Sequence, residues 1–158
     1  MFAQNQKVGY VDSQVILSQY APAIKAQSDL DAIAAGFSKV RDSLVQAFQT
    51  AYADYDKQKG MMTPDKQRET QQYLVTKQQE IQMYEQQKFG QQDGELYKKN
   101  EELFAPVKAQ IIEAIHQVAK EEGMNFIFDK TGDVLLLYAD ENFDMTFKVL
   151  DKLKRGKK

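Results

Sequence analysis

The chain has 158 residues and a formal net charge of −2, with a mean hydropathy of −0.60, so it is long enough for one domain but very polar for a compact globule. A pI near 5.5 with charges of mixed sign excludes general binding to nucleic-acid backbones. The absence of cysteine excludes disulfides, thiolate zinc sites and cysteine nucleophiles, and no apolar run approaches the roughly 20 residues of a membrane span.

The first residues, MFAQNQ, do not resemble part of a globular element. Ala3 followed by Gln4 is typical of the junction left by signal-peptide cleavage, with Met1 added for expression. A plain N-terminus without regular structure is the alternative. The next segment, KVGYV at 7–11, is β-rich and predicts the first strand. Asp12 or Ser13 can then cap a short helix.

Two long helical segments are predicted between residues 23 and 104. In the first, apolar side chains alternate in steps of three and four, which is the pattern of a heptad seam. These seam positions are Leu30, Ile33, Phe37, Val40, Leu44, Ala47 and Ala51. Thr63 as N-cap and Pro64 as first residue predict a second helix that continues to about residue 104. Gly90 and Gly94 lie inside this second helix as candidate points of bending.

The two helices have nearly equal predicted lengths and a short connection, which indicates an antiparallel αα-hairpin with its tip at 60–64. After it, Pro106 is expected to interrupt the helical pattern. A helix from Val107 to Glu122 then ends at Gly123, which suits the left-handed cap position. Strands are predicted at about 125–129 and 134–138, joined by a KTGD turn, before a final helix capped by Asp144.

The predicted fold class is therefore α+β. A long helical hairpin, the coiled-coil-like arm at 23–104, projects from a small β-containing body formed by both chain ends, 1–22 and 105–158. Strand 7–11 is expected to join the C-terminal strands in one sheet. Because the VLLLY run at 134–138 is apolar on consecutive positions, both of its faces need cover, and we expect the chain to form oligomers through the body.

Several stretches in this order resemble the Skp/OmpH family of periplasmic chaperones. They are VGYVDSQ near the start, PVKAQIIEAIHQVAKEEGMNFIFD after the hairpin, and VLLLYADENFDMT near the end. The residues that carry the resemblance are Val8, Gly9, Tyr10, Val11, Asp12, Pro106, Ile115, Val118, Ala119, Gly123, Asp129, Leu137, Tyr138, Asp144 and Thr146. The order and spacing extend over nearly the whole chain, whereas the middle of the arm matches only in character.

The resemblance implies a homotrimer with three helical arms around a cavity. It also implies an ATP-independent holdase in the periplasm, without a cofactor, that binds unfolded outer-membrane β-barrel proteins and prevents their aggregation. Members of the family are often strongly basic, but residues 28–102 of this chain carry ten Lys and Arg against thirteen Asp and Glu. These mildly acidic arms disfavour lipopolysaccharide as a partner.

A holdase needs many weak contacts, so exposed aromatic and methionine side chains of the arm are the candidate client-binding residues. They are Met61, Met62, Tyr52, Tyr55, Tyr73, Tyr84 and Phe89. Packing of these side chains within the hairpin is the alternative for each. The candidate body and trimerisation residues are Val8, Tyr10, Val11, Phe126, Phe128, Leu135 and Leu137.

Other functions receive less support from the residues. His116 is the single histidine and has no nucleophile or acid at a suggestive spacing, so the chain is not predicted to be an enzyme. Asp129, Thr131 and Asp133 alternate as in a calcium loop, but glycine stands at the fourth place and Asp140 at the twelfth, so a hairpin turn is favoured and no metal is expected. A coiled-coil scaffold or envelope tether without chaperone activity is the alternative function.

Overall fold

The computed structural model describes residues 6–132 and 136–156 of the chain. In chain order the elements are strand β1 (Val8–Val11), helices α1 (Ser13–Gln19), α2 (Ala21–Gln58), α3 (Pro64–Phe89) and α4 (Glu95–Glu122), strand β2 (Phe126–Asp129) and helix α5 (Thr146–Arg155). The chain divides into two compact units, the body unit (Met1–Ser28 with Glu102–Lys158) and the hairpin unit (Asp29–Glu101).

The body unit contains a two-stranded parallel sheet in which β1 pairs with β2, from Val8 opposite Phe126 to Val11 opposite Asp129. The other edge of β1 bridges to Asp144, and the N–H of Met145 donates to the carbonyl of Tyr10 at 2.8 Å. The N-terminal strand therefore shares a sheet with a C-terminal segment, as predicted, and it lies between two segments from the end of the chain.

The predicted strand at 134–138 differs from the structure. Residues 133–135 lie outside the described part of the chain, and residues 136–140 have no regular secondary structure. Leu137 and Tyr138 are 87% and 85% exposed. An isolated strand has no partner for its backbone N–H and C=O groups, so its apolar composition alone does not make this segment a strand.

One apolar core holds the body unit together. It is formed by α1, the start of α2, the second half of α4, and α5, and its buried residues include Val11, Ile16, Tyr20, Ala23, Ala26, Val107, Ile111, Ala114, Val118, Met145, Val149, Leu150 and Leu153. On α4 the buried positions Val107, Ile111, Ala114 and Val118 recur at steps of three and four, as expected for a helix with one apolar face. Gly123 ends α4 with a φ of +66°, which confirms its predicted cap position.

A polar junction lies where β1, β2 and α5 meet. Asp129 Oδ1 accepts hydrogen bonds from the N–H of Ser13 at 3.2 Å, from the N–H of Thr131 at 3.0 Å and from Thr131 Oγ1 at 2.8 Å. Burial by itself raises the pKa of the Asp129 carboxyl, but these hydrogen bonds from Ser13 and Thr131 outweigh it, so the pKa lies below its ordinary value.

Asp12 completes this polar junction from the end of β1. Its Oδ1 accepts from the N–H of Val15 at 2.9 Å and caps α1, while Oδ2 forms an ion pair with Lys130 at 3.1 Å. The hydrogen bond from Val15 lowers the pKa of the Asp12 carboxyl, and burial raises it. The contact with Lys130 also lowers it, so the pKa lies below its ordinary value. The N–H of Asp12 donates to Thr146 Oγ1 at 2.9 Å, which ties β1 to the first turn of α5.

In the hairpin unit, α2 and α3 pack in an antiparallel arrangement. Gln71 Nε2 donates to Tyr55 Oη at 2.7 Å near one end, and Phe37 contacts Phe89 edge to face with a centroid distance of 6.2 Å near the other. The less exposed stripe on α2 keeps the predicted seam positions Leu30, Phe37, Leu44 and Ala51. Its alternate positions are one residue later than predicted, at Ala34, Arg41 and Phe48, and the stripe continues to Tyr55.

Two residues of the predicted seam, Val40 and Ala47, are therefore exposed, and Arg41 and Phe48 take the inward positions. Arg41 can do so because its guanidinium lies over the ring of Phe89, 5.5 Å from the centroid, while its aliphatic stem covers apolar surface. A pattern of apolar residues alone misses a seam position that an arginine fills.

The return segment is two helices rather than one. α3 ends at Phe89, Gly90 caps it, and α4 begins at Glu95. A Cβ at Gly90 would lie 2.5 Å from the carbonyl oxygen of Gln86, and a Cβ at Gly94 would lie 2.4 Å from the backbone nitrogen of Gly90. The two glycines therefore permit a close backbone approach that ends the helix, instead of lying inside a continuous one.

Pro106, predicted to interrupt the helix, lies inside α4. A proline there removes one backbone hydrogen bond and crowds the preceding turn. Its side chain is exposed, whereas the following residue, Val107, is buried in the core of the body unit. Burial of the apolar face of α4 therefore outweighs the local preference of proline.

We expect the body unit to lose stability in acid because of Asp129. An unfolded aspartate binds its proton as the pH falls past its ordinary pKa of 3.8, whereas the hydrogen-bonded carboxylate in the folded state stays ionised to lower pH. The stabilisation is thus present above that value and is lost as the pH falls toward the folded-state pKa. Asp129→Asn should lower the free energy of unfolding by about 1 kcal/mol at pH 7. Below about pH 5 the free energy of unfolding of this variant should fall less steeply with pH than that of the parent protein.

Urea unfolding followed by circular dichroism between pH 3 and pH 7 measures this effect. Asp54→Asn, at an exposed position of α2, is the matched control and should leave the acid limb unchanged. An Asp129→Asn protein with the same acid dependence as the parent protein would contradict the assignment.

The glycines of the helix break should respond to alanine differently from a glycine within a helix. Gly94→Ala forces a backbone shift, and we expect it to lower the free energy of unfolding by about 1–3 kcal/mol. Gly36→Ala is the matched control: Gly36 lies in α2, and a Cβ added there would have nothing within 4 Å, so alanine should stabilise by about 0.5–1 kcal/mol. Thermal and urea unfolding measure both changes. Stabilisation by Gly94→Ala would show that α3 and α4 prefer to be continuous.

Candidate functional site

The tip of the hairpin unit is a compact, hydrogen-bonded turn. Residues Lys59–Met61 form a single 3-10 turn after α2, and the N–H of Met62 donates to the carbonyl of Lys59 at 3.3 Å. Thr63 caps α3 by accepting from the N–H of Lys66 at 3.4 Å, with Pro64 in the first turn, as predicted. The tip is thus built by short-range backbone geometry and not by an apolar cluster.

The side chain of Gln67, in the first turn of α3, also stabilises the tip. Its Nε2 donates to the carbonyl of Lys59 at 2.7 Å and to the carbonyl of Met62 at 3.4 Å. The two tip methionines then differ in environment, since Met62 is half-buried whereas Met61 is 84% exposed. Met61 is held outward by an ordered turn, with its thioether open to solvent.

Charges around the tip occur in local pairs of opposite sign. Lys59 contacts Asp56 at 2.7 Å, Lys66 contacts Glu69 at 2.8 Å, and Arg68 pairs with Asp65. The hydrogen bond that Lys59 donates to Asp56 raises the pKa of the Lys59 ammonium. Exposed pairs of this kind contribute little to stability. Their main effect is to leave the tip without a strong field of one sign.

Two of the five predicted aromatic candidates are exposed. Tyr52 lies beside Phe48 with ring centroids 6.2 Å apart, and more than half of Tyr52 remains accessible. Tyr73 on α3 is also about half exposed, and the ammonium of Lys77 lies over its ring, 5.8 Å from the centroid. About half of each of these two side chains is therefore accessible to solvent.

The other three aromatic candidates pack within the hairpin unit. Tyr55 accepts the hydrogen bond from Gln71, and Tyr84 donates through its hydroxyl to the carbonyl of Phe37 at 3.2 Å. Phe89 is half-buried between Phe37 and Arg41. These side chains hold α2 against α3, so they are less available to a partner than Tyr52 and Tyr73.

The sequence pattern missed four exposed apolar side chains of the hairpin unit: Val40, Val75, Met83 and Tyr97. Met83 lies between the inward positions Ile81 and Tyr84, and it borders an open groove of about 480 Å³ near the helix break. Besides Met83 the groove is lined by Gln86, Gln87, Asp93, Glu95 and Lys98. The phase of the seam could have identified Met83, because residue 83 falls off the stripe that contains 81 and 84.

In the body unit, the trimerisation candidates divide into two groups. Tyr10 and Val11 are buried within the chain's own core, so they stabilise the single chain. Val8, Phe126, Phe128 and Leu137 are exposed, whereas Leu135 lies outside the described residues. Phe126 and Phe128 stack on each other with a centroid distance of 6.4 Å and an interplanar angle of 14°. They form a ridge of aromatic surface on β2 that remains about half exposed among the described residues.

Within residues 6–132 and 136–156, no group of three or more His, Asp or Glu side chains is placed to hold a metal ion. None of the described helices is both long enough and apolar enough to cross a membrane. Exposed apolar side chains occur in both units; in the body unit they include Phe126, Phe128, Leu137, Tyr138 and Phe147.

Comparison with known proteins supports the fold over nearly the whole chain. A family model described as outer membrane protein (OmpH-like) matches residues 7–153. A crystal structure described as an OmpH-like outer membrane chaperone from Caulobacter crescentus CB15 is similar, with a TM-score of 0.75 and 15% sequence identity. The similarity covers 96% of this chain and 85% of that one. No curated protein sequence gives a significant match.

Proposed function

The chain belongs to the OmpH-like family of outer membrane proteins, and we propose that it is a periplasmic chaperone that binds unfolded outer-membrane β-barrel proteins without ATP and prevents their aggregation. The observation that carries this proposal is the distribution of exposed apolar side chains on the hairpin unit. Tyr52, Met61, Tyr73 and Met83 are each about half exposed or more, and they are spread along α2, the tip and α3.

Separated apolar contacts suit a client without fixed structure. An unfolded β-barrel protein carries many apolar side chains spread along an extended chain. One exposed tyrosine or methionine binds such a chain weakly, but several on one frame raise the effective concentration of the next contact. Each contact breaks easily, so the client can leave without an energy source.

The polar surface around these contacts supports the same function. The tip charges pair with one another, and α3 is rich in glutamine, with Gln78, Gln79 and Gln82 between Tyr73 and Met83 and with Gln86 and Gln87 after Met83. Amides and balanced charges give no continuous apolar patch on which chaperone molecules would aggregate. A tether or scaffold, in contrast, needs no exposed aromatic or methionine side chains on its rod.

We further propose that the body unit forms the centre of a homotrimer. Phe126 and Phe128 lie exposed on β2, and residues 136–138 carry exposed apolar side chains with no strand partner in the described chain. A second copy can cover both, because an exposed strand edge and an unpaired apolar segment satisfy each other's backbone groups. Buried aromatic side chains are typical anchors of such interfaces.

The holdase proposal is tested at the tip. Partial burial of one methionine side chain against a client is worth about 1 kcal/mol, so Met61→Ser should weaken the binding of a urea-unfolded β-barrel protein by about fivefold. Met62→Ser should have a smaller effect on binding, since Met62 is half-buried in the tip. Binding is measured by fluorescence titration and by light scattering during dilution of the client from urea.

Gln78→Ser, at an exposed polar position of α3, is the matched control and should bind the client like the parent protein. Failure of the parent protein to suppress client aggregation would overturn the holdase proposal and favour a tether. Equal binding by the Met61→Ser and Gln78→Ser proteins would show that the Met61 side chain at the tip does not contact the client.

The trimer proposal is tested in the body unit. Replacing both Phe126 and Phe128 with serine should shift the protein from trimer toward monomer at micromolar concentration, because the aromatic ridge no longer contributes apolar burial. Sedimentation velocity measures the mass. Met83→Ser in the hairpin unit is the control and should stay trimeric. A parent protein that is monomeric, or a double variant with unchanged mass, would contradict the proposal.

A further inference from the structure

The methionines of this chain occupy very different environments. Met145 is 1% exposed in the core of the body unit, and Met124 is partly buried against the same core. Met62 is half-buried at the tip, Met83 is 56% exposed, and Met61 is 84% exposed. Since the chain has no cysteine, the thioethers of its methionines are the only sulfur atoms that an oxidant can reach.

The exposure of Met61 follows from the turn that holds it. The carbonyl groups on either side of it, those of Lys59 and Met62, both accept from the Gln67 side chain, and Thr63 fixes the start of α3. The backbone of the tip therefore does not depend on the Met61 side chain. A polar group added to its sulfur leaves every hydrogen bond of the turn in place.

We propose that Met61 is a site of reversible oxidation, at which conversion to the sulfoxide switches off the apolar contact surface of the tip. The oxidant is a two-electron oxygen donor of the peroxide class. One oxygen of hydrogen peroxide forms a bond to the sulfur as the O–O bond breaks, the sulfur loses two electrons, and the other oxygen leaves as water. Oxidation of this kind makes a methionine side chain polar, and reductases of the methionine sulfoxide class reverse it.

The effect on structure should be small and the effect on recognition large. Oxidation of Met145 would place a polar oxygen in the core, but its sulfur is shielded. Oxidation of Met61 changes only a side chain that faces solvent. The chemical step stands on the exposure of Met61 alone, whereas its consequence for client binding rests on the proposed holdase function.

The first experiment measures which methionine reacts. The whole protein is treated with hydrogen peroxide at neutral pH, and peptides containing Met61, Met62, Met83, Met124 and Met145 are followed by mass spectrometry over time. Among these five methionines we expect Met61 to be oxidised first, measurably faster than Met83, and Met145 last, because susceptibility follows exposure. Oxidation of Met83 or Met62 at the rate of Met61 would overturn the assignment of a selective site.

The second experiment measures the consequence, with Met61→Leu as the decisive variant. Leucine keeps an apolar side chain at the tip but cannot be oxidised. We expect peroxide treatment to weaken client binding by the parent protein by about fivefold, the change expected for loss of one apolar contact. Treatment is stopped when Met61 is oxidised and Met83 is still unmodified, because Met83 is also exposed. The treated Met61→Leu protein should then bind clients as tightly as the untreated Met61→Leu protein, whereas the treated Met83→Leu protein should lose binding like the parent protein.

The controls separate the two proposals. If the untreated parent protein does not suppress client aggregation, the holdase proposal fails while the oxidation rates still decide the modification site. If the untreated protein binds clients and the treated Met61→Leu protein loses binding as fully as the parent protein, oxidation acts elsewhere and the switch at Met61 is wrong. Treatment with methionine sulfoxide reductase should restore binding to the parent protein, and failure to restore it after complete reduction of Met61 would also contradict the switch.

Discussion

The parallel pairing of β1 with β2 is the constraint on which the body unit depends. It joins segments at opposite ends of the chain; the backbone of Lys7, directly before β1, bonds Asn125, which is 118 positions away. Two short strands contribute few hydrogen bonds and little apolar burial by themselves. The pairing therefore needs support from its surroundings, and the polar junction at the end of the strands supplies it.

The hydrogen bonds and the ion pair of that junction hold the two strands and the first turns of α1 and α5 together. Asp129 bonds the first residue of α1, Asp12 caps the same helix and pairs with Lys130, and Thr146 anchors α5 to the end of β1. Each carboxylate accepts several hydrogen bonds, which compensates for its loss of water. The core of the body unit can then assemble from helices whose ends are already positioned.

The hairpin unit is held together by a different kind of interaction. Its seam includes Arg41, and across the helices the ammonium of Lys88 lies over Phe37, 4.9 Å from the ring centroid. Charged side chains of this length cover apolar rings while their heads stay near water. Such a seam stabilises the helix pair without requiring a continuous apolar stripe, and tyrosine and methionine side chains such as Tyr52, Tyr73 and Met83 lie outside it, exposed to solvent.

Local sequence rules hold at some points of this chain and fail at others. The Thr63 cap, the tip after α2 and the end of α4 at Gly123 were predicted correctly, because each is decided by a few neighbouring residues. Pro106 was expected to interrupt a helix and does not, since burial of Val107 and the residues beyond it stabilises α4 through the proline. Gly90 and Gly94 were expected inside a helix, but their mutual approach ends α3.

The sequence by itself determined the antiparallel hairpin and the position of its tip, because heptad spacing and capping residues act over short distances. It also predicted β-rich segments near both chain ends, whereas their parallel pairing is a long-range contact that the tertiary structure decided. Only the tertiary structure decided the phase of the seam, the break after Phe89 and which of the candidate side chains are exposed. Burial depends on what packs opposite each residue, and that partner is distant in the sequence. The same limit explains why Met61 and Met62, adjacent in sequence and identical in chemistry, have different environments.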